Sequence, residues 1–208
     1  MPSIPDPTWT ELELRLLRNV ELFQNKPTIM KKAEGRLHAL NQALQSEIVR
    51  NPKSCPEEAD TLKGQIARGE NNRHFPFLSL DMPQLFNKNT FYTFRTLFWW
   101  GHYLGFALIL KGENFDRHVQ SVVDAQATNK VEGIWFSLFD TPWEWELTPA
   151  HFQLLSDMAP EEIKTIANKN GYLKLLTTVA IDTPDFTALN WTNTGIEAYT
   201  RLTGLVGN

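Results

Sequence analysis

The stretch FYTFRTLFWWGHYLGFALIL, Phe91 to Leu110, is the most apolar and most aromatic run in the chain, and its reading decides the fold. It contains no proline and few strongly polar side chains, and its length suits a buried central helix over about 90–110. A membrane span needs about 20 apolar residues. The uninterrupted part here, Leu97 to Leu110, is shorter, contains His102 and follows Arg95, so no membrane association is expected. On a helix Arg95 and His102 fall on nearly the same side, two turns apart, because each residue advances the wheel by about 100°. Gly101 and Gly105 form a second seam, suited to the close approach of a neighbouring helix.

Upstream, Asp6-Pro7 or Thr8 offers a helix start, and Trp9, Leu12, Leu16, Val20 and Phe23 recur at three- and four-residue steps as one buried face. Pro27 breaks that pattern. A second helix from about Thr28 to Arg50 carries Met30, Ala33, Leu37, Leu40 and Leu44, so residues 7–50 read as an antiparallel helical hairpin. Ser54-Cys55-Pro56-Glu57 has the form of a capping box and predicts a short helix through Ala59, Leu62 and Ile66, followed by a loop over Glu70 to Ser79.

Downstream, Asn114 caps a helix buried through Phe115, Val119 and Val122, which makes a central helix pair over 89–128. Residues 132–147 read as an ordered acidic aromatic loop. Residues 148–204 read as further helices, including one over Tyr172 to Ile181. The expected fold is therefore all-α: a single domain over 1–208, built as a non-repetitive multi-helix bundle around the central helix.

The net charge of -4 argues against nucleic acid as a partner, since phosphate binding needs clustered Lys and Arg. Cys55 stands alone, which excludes an internal disulfide and favours a reducing compartment. With no basic and apolar leader in MPSIPDP, the cytoplasm is the expected location. No phosphate-cradling loop, dinucleotide fingerprint, nucleophile elbow or paired-histidine metal motif occurs, so no cofactor and no metal are expected, and catalysis is left undecided. His102 and His118, on an antiparallel helix pair, would stand about 7.5 Å apart along the axis, too far to share a metal.

Two sets of residues invite a functional reading. The first is the acidic segment from Glu132 to Glu162, which has no Lys or Arg and includes Trp135, Asp140, Trp143, Glu144, Trp145 and Glu146. Negative charge beside large rings suits a surface that attracts a basic protein partner and anchors it, so the expected function is an interaction or regulatory module. The alternative is a helical enzyme or small-molecule binder with a pocket beside Arg95 and His102, the arginine holding an anion and the histidine moving a proton.

Overall fold

The computed structural model describes residues 8–207, so the Asp6-Pro7 helix start lies outside the described residues. The chain is not all-α. Its core is a seven-stranded antiparallel sheet: β1 (Gln65–Asn72), β2 (Phe75–Phe86), β3 (Phe91–Trp99), β4 (Tyr103–Lys111), β5 (Trp135–Ser137), β6 (Phe152–Leu154) and β7 (Leu173–Ala180), in the order β1-β2-β3-β4-β7-β5-β6. The helices are α1 (Glu11–Leu17), α2 (Val20–Arg50), α3 (Phe115–Ala127), α4 (Pro160–Asn170), α5 (Pro184–Ala188) and α6 (Trp191–Val206).

The expected central helix is a β-hairpin. Trp99 pairs with Tyr103, and Trp100, Gly101 and His102 make the turn between β3 and β4. Gly101 takes φ 76°, a left-handed conformation that costs glycine nothing and makes the reversal possible. The helix reading fails because these two strands are covered on both faces. Tyr92, Phe94, Phe98, Leu104, Phe106, Leu108 and Leu110 join the core beneath the helices, while Leu97, Trp99, Tyr103, Ala107 and Ile109 join a second core on the opposite face. Burial on two faces removes the alternation that marks a strand, leaving a continuous apolar run that periodicity cannot separate from a buried helix.

Other expected helices are strands as well. Tyr172 to Ile181 is mostly β7, paired with β4 from Leu110↔Leu173 to Tyr103↔Ala180. The expected helix through Ile66 and loop over Glu70 to Ser79 are the β1–β2 hairpin, whose turn residues Arg73 and His74 both have positive φ, the requirement of a tight hairpin turn that follows the strand twist. The hairpin of helices over 7–50 is also absent. α2 runs unbroken through Pro27 to Arg50, and its buried residues begin only at Met30.

One face of the sheet carries α2, α3, α4 and α6, with Leu37, Leu40, Leu44, Val122, Ile163, Tyr199 and Leu202 buried against it. Among the described residues the other face carries no helix. It is roofed instead by the acidic aromatic segment, residues 138–151, which crosses it as a strap between β5 and β6. Among the described residues no helix is long and apolar enough to cross a membrane.

Candidate binding surface under and over the strap

Side chains on the roofed face follow from the register. Asp81, Arg95, Ala107, Leu176 and Trp135 are cross-strand neighbours in one row, running β2-β3-β4-β7-β5. Thr93, Ile109 and Lys174 form the next row. Successive residues alternate faces, so two basic side chains, Arg95 and Lys174, point out of the same face into the space beneath the strap.

Arg95 is held by Asp81, with Nε 2.8 Å from Oδ1 and an Nη 2.7 Å from Oδ2, a two-pronged pair whose acid is 2% exposed. The Thr93 hydroxyl donates to the same carboxylate at 2.8 Å. Planar guanidinium suits this grip, and the buried pair is satisfied on both oxygens. The guanidinium carbon lies 4.7 Å from the ring centre of Trp143 and 6.0 Å from that of Trp145. Tryptophan faces attract cations, so Arg95 orients both rings from below.

Lys174 is 1% exposed and also holds the strap. Its amine donates to the carbonyls of Pro142, at 2.9 Å, and Glu144, at 2.5 Å, and lies 3.3 Å from the ring centre of Trp145. Burial, and next the nearby Arg95, push its pKa well below the ordinary lysine value, against the opposing pull of Glu144. Three further side chains fix strap carbonyls. The Tyr103 hydroxyl donates to that of Trp145, Asn170 Nδ2 donates to Phe139 at 2.7 Å, and the Tyr172 hydroxyl lies 2.6 Å from Phe139 O and 3.0 Å from Thr141 O. A loop over an apolar face would otherwise bury unpaired acceptors; here β4, β7 and the residues leading into β7 supply donors.

Two acids of the strap, Glu144 and Glu146, are engaged. Arg73, on the β1–β2 turn, reaches Glu144 at 2.7 Å and Glu146 at 3.1 Å. The other oxygen of Glu144 accepts from the backbone N–H groups of Trp145 and Glu146, each at 2.8 Å. Burial raises the Glu144 pKa, but Arg73 and these two N–H groups outweigh it and leave the carboxyl below its usual range. His151 lies 4.0 Å from Glu144 and 3.8 Å from Glu146, completing a cluster of two carboxylates and an imidazole. The cluster has the donor set of a cation site, and Arg73 is the cation bonded to it.

The structure thus divides the residues singled out in the sequence. Trp145 is buried and Trp135 half-buried in the second core. Glu144 is bound from three sides, and Glu146 is shared with Arg73. Trp143 and Asp140 face solvent. The Trp143 ring is 44% exposed and meets Phe86, itself 47% exposed, at 6.4 Å and Phe91 at 6.3 Å. These three rings make an aromatic platform at one end of the sheet, with Arg95 beneath the indole. Sequence reasoning missed Asp81, Arg73, His151 and Lys174 because their roles depend on strand register and on the strap folding back.

Arg95 and His102 do not share a site. His102 lies in the β3–β4 turn, stacked on Trp99 at 3.7 Å between centroids and edge-on to Phe75 at 4.8 Å. Burial lowers its pKa, with Glu146 pulling the other way. His118 is on α3, with Nδ1 2.7 Å from the carbonyl of Val206. A groove of about 690 Å³ is lined by Cys55, Tyr92, Lys111, Glu113 and His118, and it reaches the platform through Phe91. Neither Arg95 nor His102 lines it. Compared with protein-family models, curated proteins and solved structures, the chain matches none.

Proposed function

We propose that this chain is a protein-interaction module that binds a partner through the platform of Trp143, Phe86 and Phe91. The observation that carries the reading is Trp143: a large ring left 44% exposed although the strap that bears it is fixed to the sheet by five carbonyl contacts at Phe139, Thr141, Pro142, Glu144 and Trp145. A rigid, exposed tryptophan binds at low cost in conformational entropy, which is why such rings dominate interface energetics.

The sequence reading of a basic partner is kept in narrower form. Arg73 pairs with Glu144 and Glu146, offsetting one of the strap's three negative charges, and Asp140 is the strap acid that stands exposed. The open ring surface of Trp143 suits a cationic side chain stacked upon it, and we place the protein in a reducing compartment such as the cytoplasm on the strength of its one free cysteine, buried Cys55. Affinity capture from the native cell with the wild type and with Trp143→Ala tests the reading. A specific partner should be held by the first and lost from the second. A partner retained equally by both would place the interface elsewhere.

A further inference from the structure

The N-terminal arm is built unlike the rest of the chain. None of the residues of α1 is buried, and in α2 burial starts at Met30. Of the 14 large hydrophobic side chains exposed among the described residues, nine lie between Trp9 and Ile29, so the exposure is concentrated rather than scattered. The arm thus presents apolar surface on the order of a few hundred Å² or more, the size at which an exposed apolar surface marks an interaction site.

The pattern of that surface is specific. Trp9, Leu16, Phe23, Met30, Leu37 and Leu44 follow one another at seven-residue steps. The last three are buried against the sheet at 1%, 0% and 0% exposure, while the first three stand at 66%, 56% and 67%. Within α2 the seam of Phe23, Met30, Leu37 and Leu44 is continuous, while Leu16 lies on α1 across the break at Arg18 and Asn19, and Trp9 just before α1. The body of the chain covers the part from Met30 onward, and the part before it leaves its apolar side chains exposed. A seven-residue seam is the pattern by which one helix packs lengthwise on another.

Charge selects the occupant. From Trp9 to Ile29 the arm carries Glu11, Glu13 and Glu21 against Arg15, Arg18 and Lys26, so two arms do not repel. Along α1 the order is acidic then basic: Glu11 and Glu13 lie in its first turn, and Arg15 and Arg18 at its end. Two copies laid antiparallel bring the acids of each beside the arginines of the other, whereas a parallel pair would set like beside like. An antiparallel pair is also a closed two-fold arrangement, the commonest form of homo-oligomer. We infer that the arm is a self-association element, through which two copies of this chain pair by their antiparallel α1 helices and the adjoining first turns of α2.

The test is sedimentation of the full chain across the micromolar range, beside Leu16→Glu with Phe23→Glu. Neither residue is buried in the single chain, so an unchanged melting curve is the control for folding. The wild type should show a concentration-dependent dimer, and the double variant should weaken it by about tenfold or more, the loss expected when a central apolar anchor is removed. Orientation is tested separately. Arg15→Glu should weaken the dimer, and adding Glu11→Arg in the same chain should restore it, since the exchange rebuilds the antiparallel match and leaves the capping pair of Thr10 and Glu13 at the start of α1 intact. A wild type that stays monomeric throughout, a dimer indifferent to the double variant, or an arm that binds neutral phosphatidylcholine vesicles from a monomeric state would overturn the inference.

Discussion

The Lys174 amine lies 3.3 Å from the ring centre of Trp145 while donating to the carbonyls on either side of Trp143, those of Pro142 and Glu144. One buried side chain thereby fixes both the tryptophan that seals the sheet and the one that faces solvent. Replacing it with methionine keeps the packing volume but strands two buried carbonyls, which should destabilise the fold by about 2 kcal/mol, within the usual penalty for unpaired buried acceptors. Denaturant unfolding measures the loss, and hydrogen exchange should report faster exchange within 138–151 than in β3 or β4.

The same lysine sets a pH dependence. Its pKa is depressed in the folded state, so the unfolded chain binds the extra proton at pH values between the folded pKa and the ordinary lysine range. Stability contributed through Lys174 therefore rises with pH over that window. The tyrosines act in the opposite direction higher up. Burial raises Tyr92, Tyr103 and Tyr199, and raises Tyr172 to about 12, so their contribution is intact below the ordinary tyrosine pKa of 10.0 and falls as pH passes above it. Melting curves should show the wild type gaining on Lys174→Met as pH rises towards the ordinary lysine value, with both losing stability above about pH 10.

Asp81 and Arg95 form a pair in which the acid is nearly inaccessible. Asp81→Ala leaves the guanidinium and Thr93 without their acceptor and should cost about 3–5 kcal/mol, whereas the double replacement Asp81→Ala with Arg95→Met should recover part of that loss. A double-mutant cycle by chemical unfolding gives the coupling. Additive losses would mean the pair does not act as a unit.

Gly105 sits beneath Tyr103. A Cβ there would come within 2.7 Å of the tyrosine ring and 3.1 Å of Leu176. The ring is fixed by its hydroxyl bond to the strap at Trp145, so it has little freedom to yield. Gly105→Ala should lose about 1–3 kcal/mol through overpacking and change the near-ultraviolet circular dichroism of the Trp145 environment.

How much of this was legible in the sequence depends on which surface covers each element. The C-terminal half of α2 was readable because only one of its faces is buried, and Met30, Leu37 and Leu44 kept their helical spacing. The β3–β4 hairpin was not, because two-sided burial erased its alternation. The Trp100-Gly101-His102 turn and the aromatic content of Phe91 to Leu110 were the surviving strand signals. Along the arm Trp9, Leu12, Leu16, Val20 and Phe23 are spaced as one buried helix face, yet all five are exposed and the helix breaks at Arg18 and Asn19 rather than at Pro27, because spacing alone does not say whether a face is buried within one chain. At the strap, the sequence marked the segment but not its inside and outside: Trp143 and Trp145 differ by two residues, and the donors Lys174 and Tyr103 hold the strap where Trp145 turns inward.

The most direct test of the platform is titration of the captured partner against the wild type, Trp143→Ala and Lys174→Met, each verified as folded. The platform account predicts that Trp143→Ala weakens binding by about tenfold or more, the size of a hot-spot loss, and that Lys174→Met weakens it less by loosening the strap without removing the ring. Equal affinity for all three proteins would contradict it.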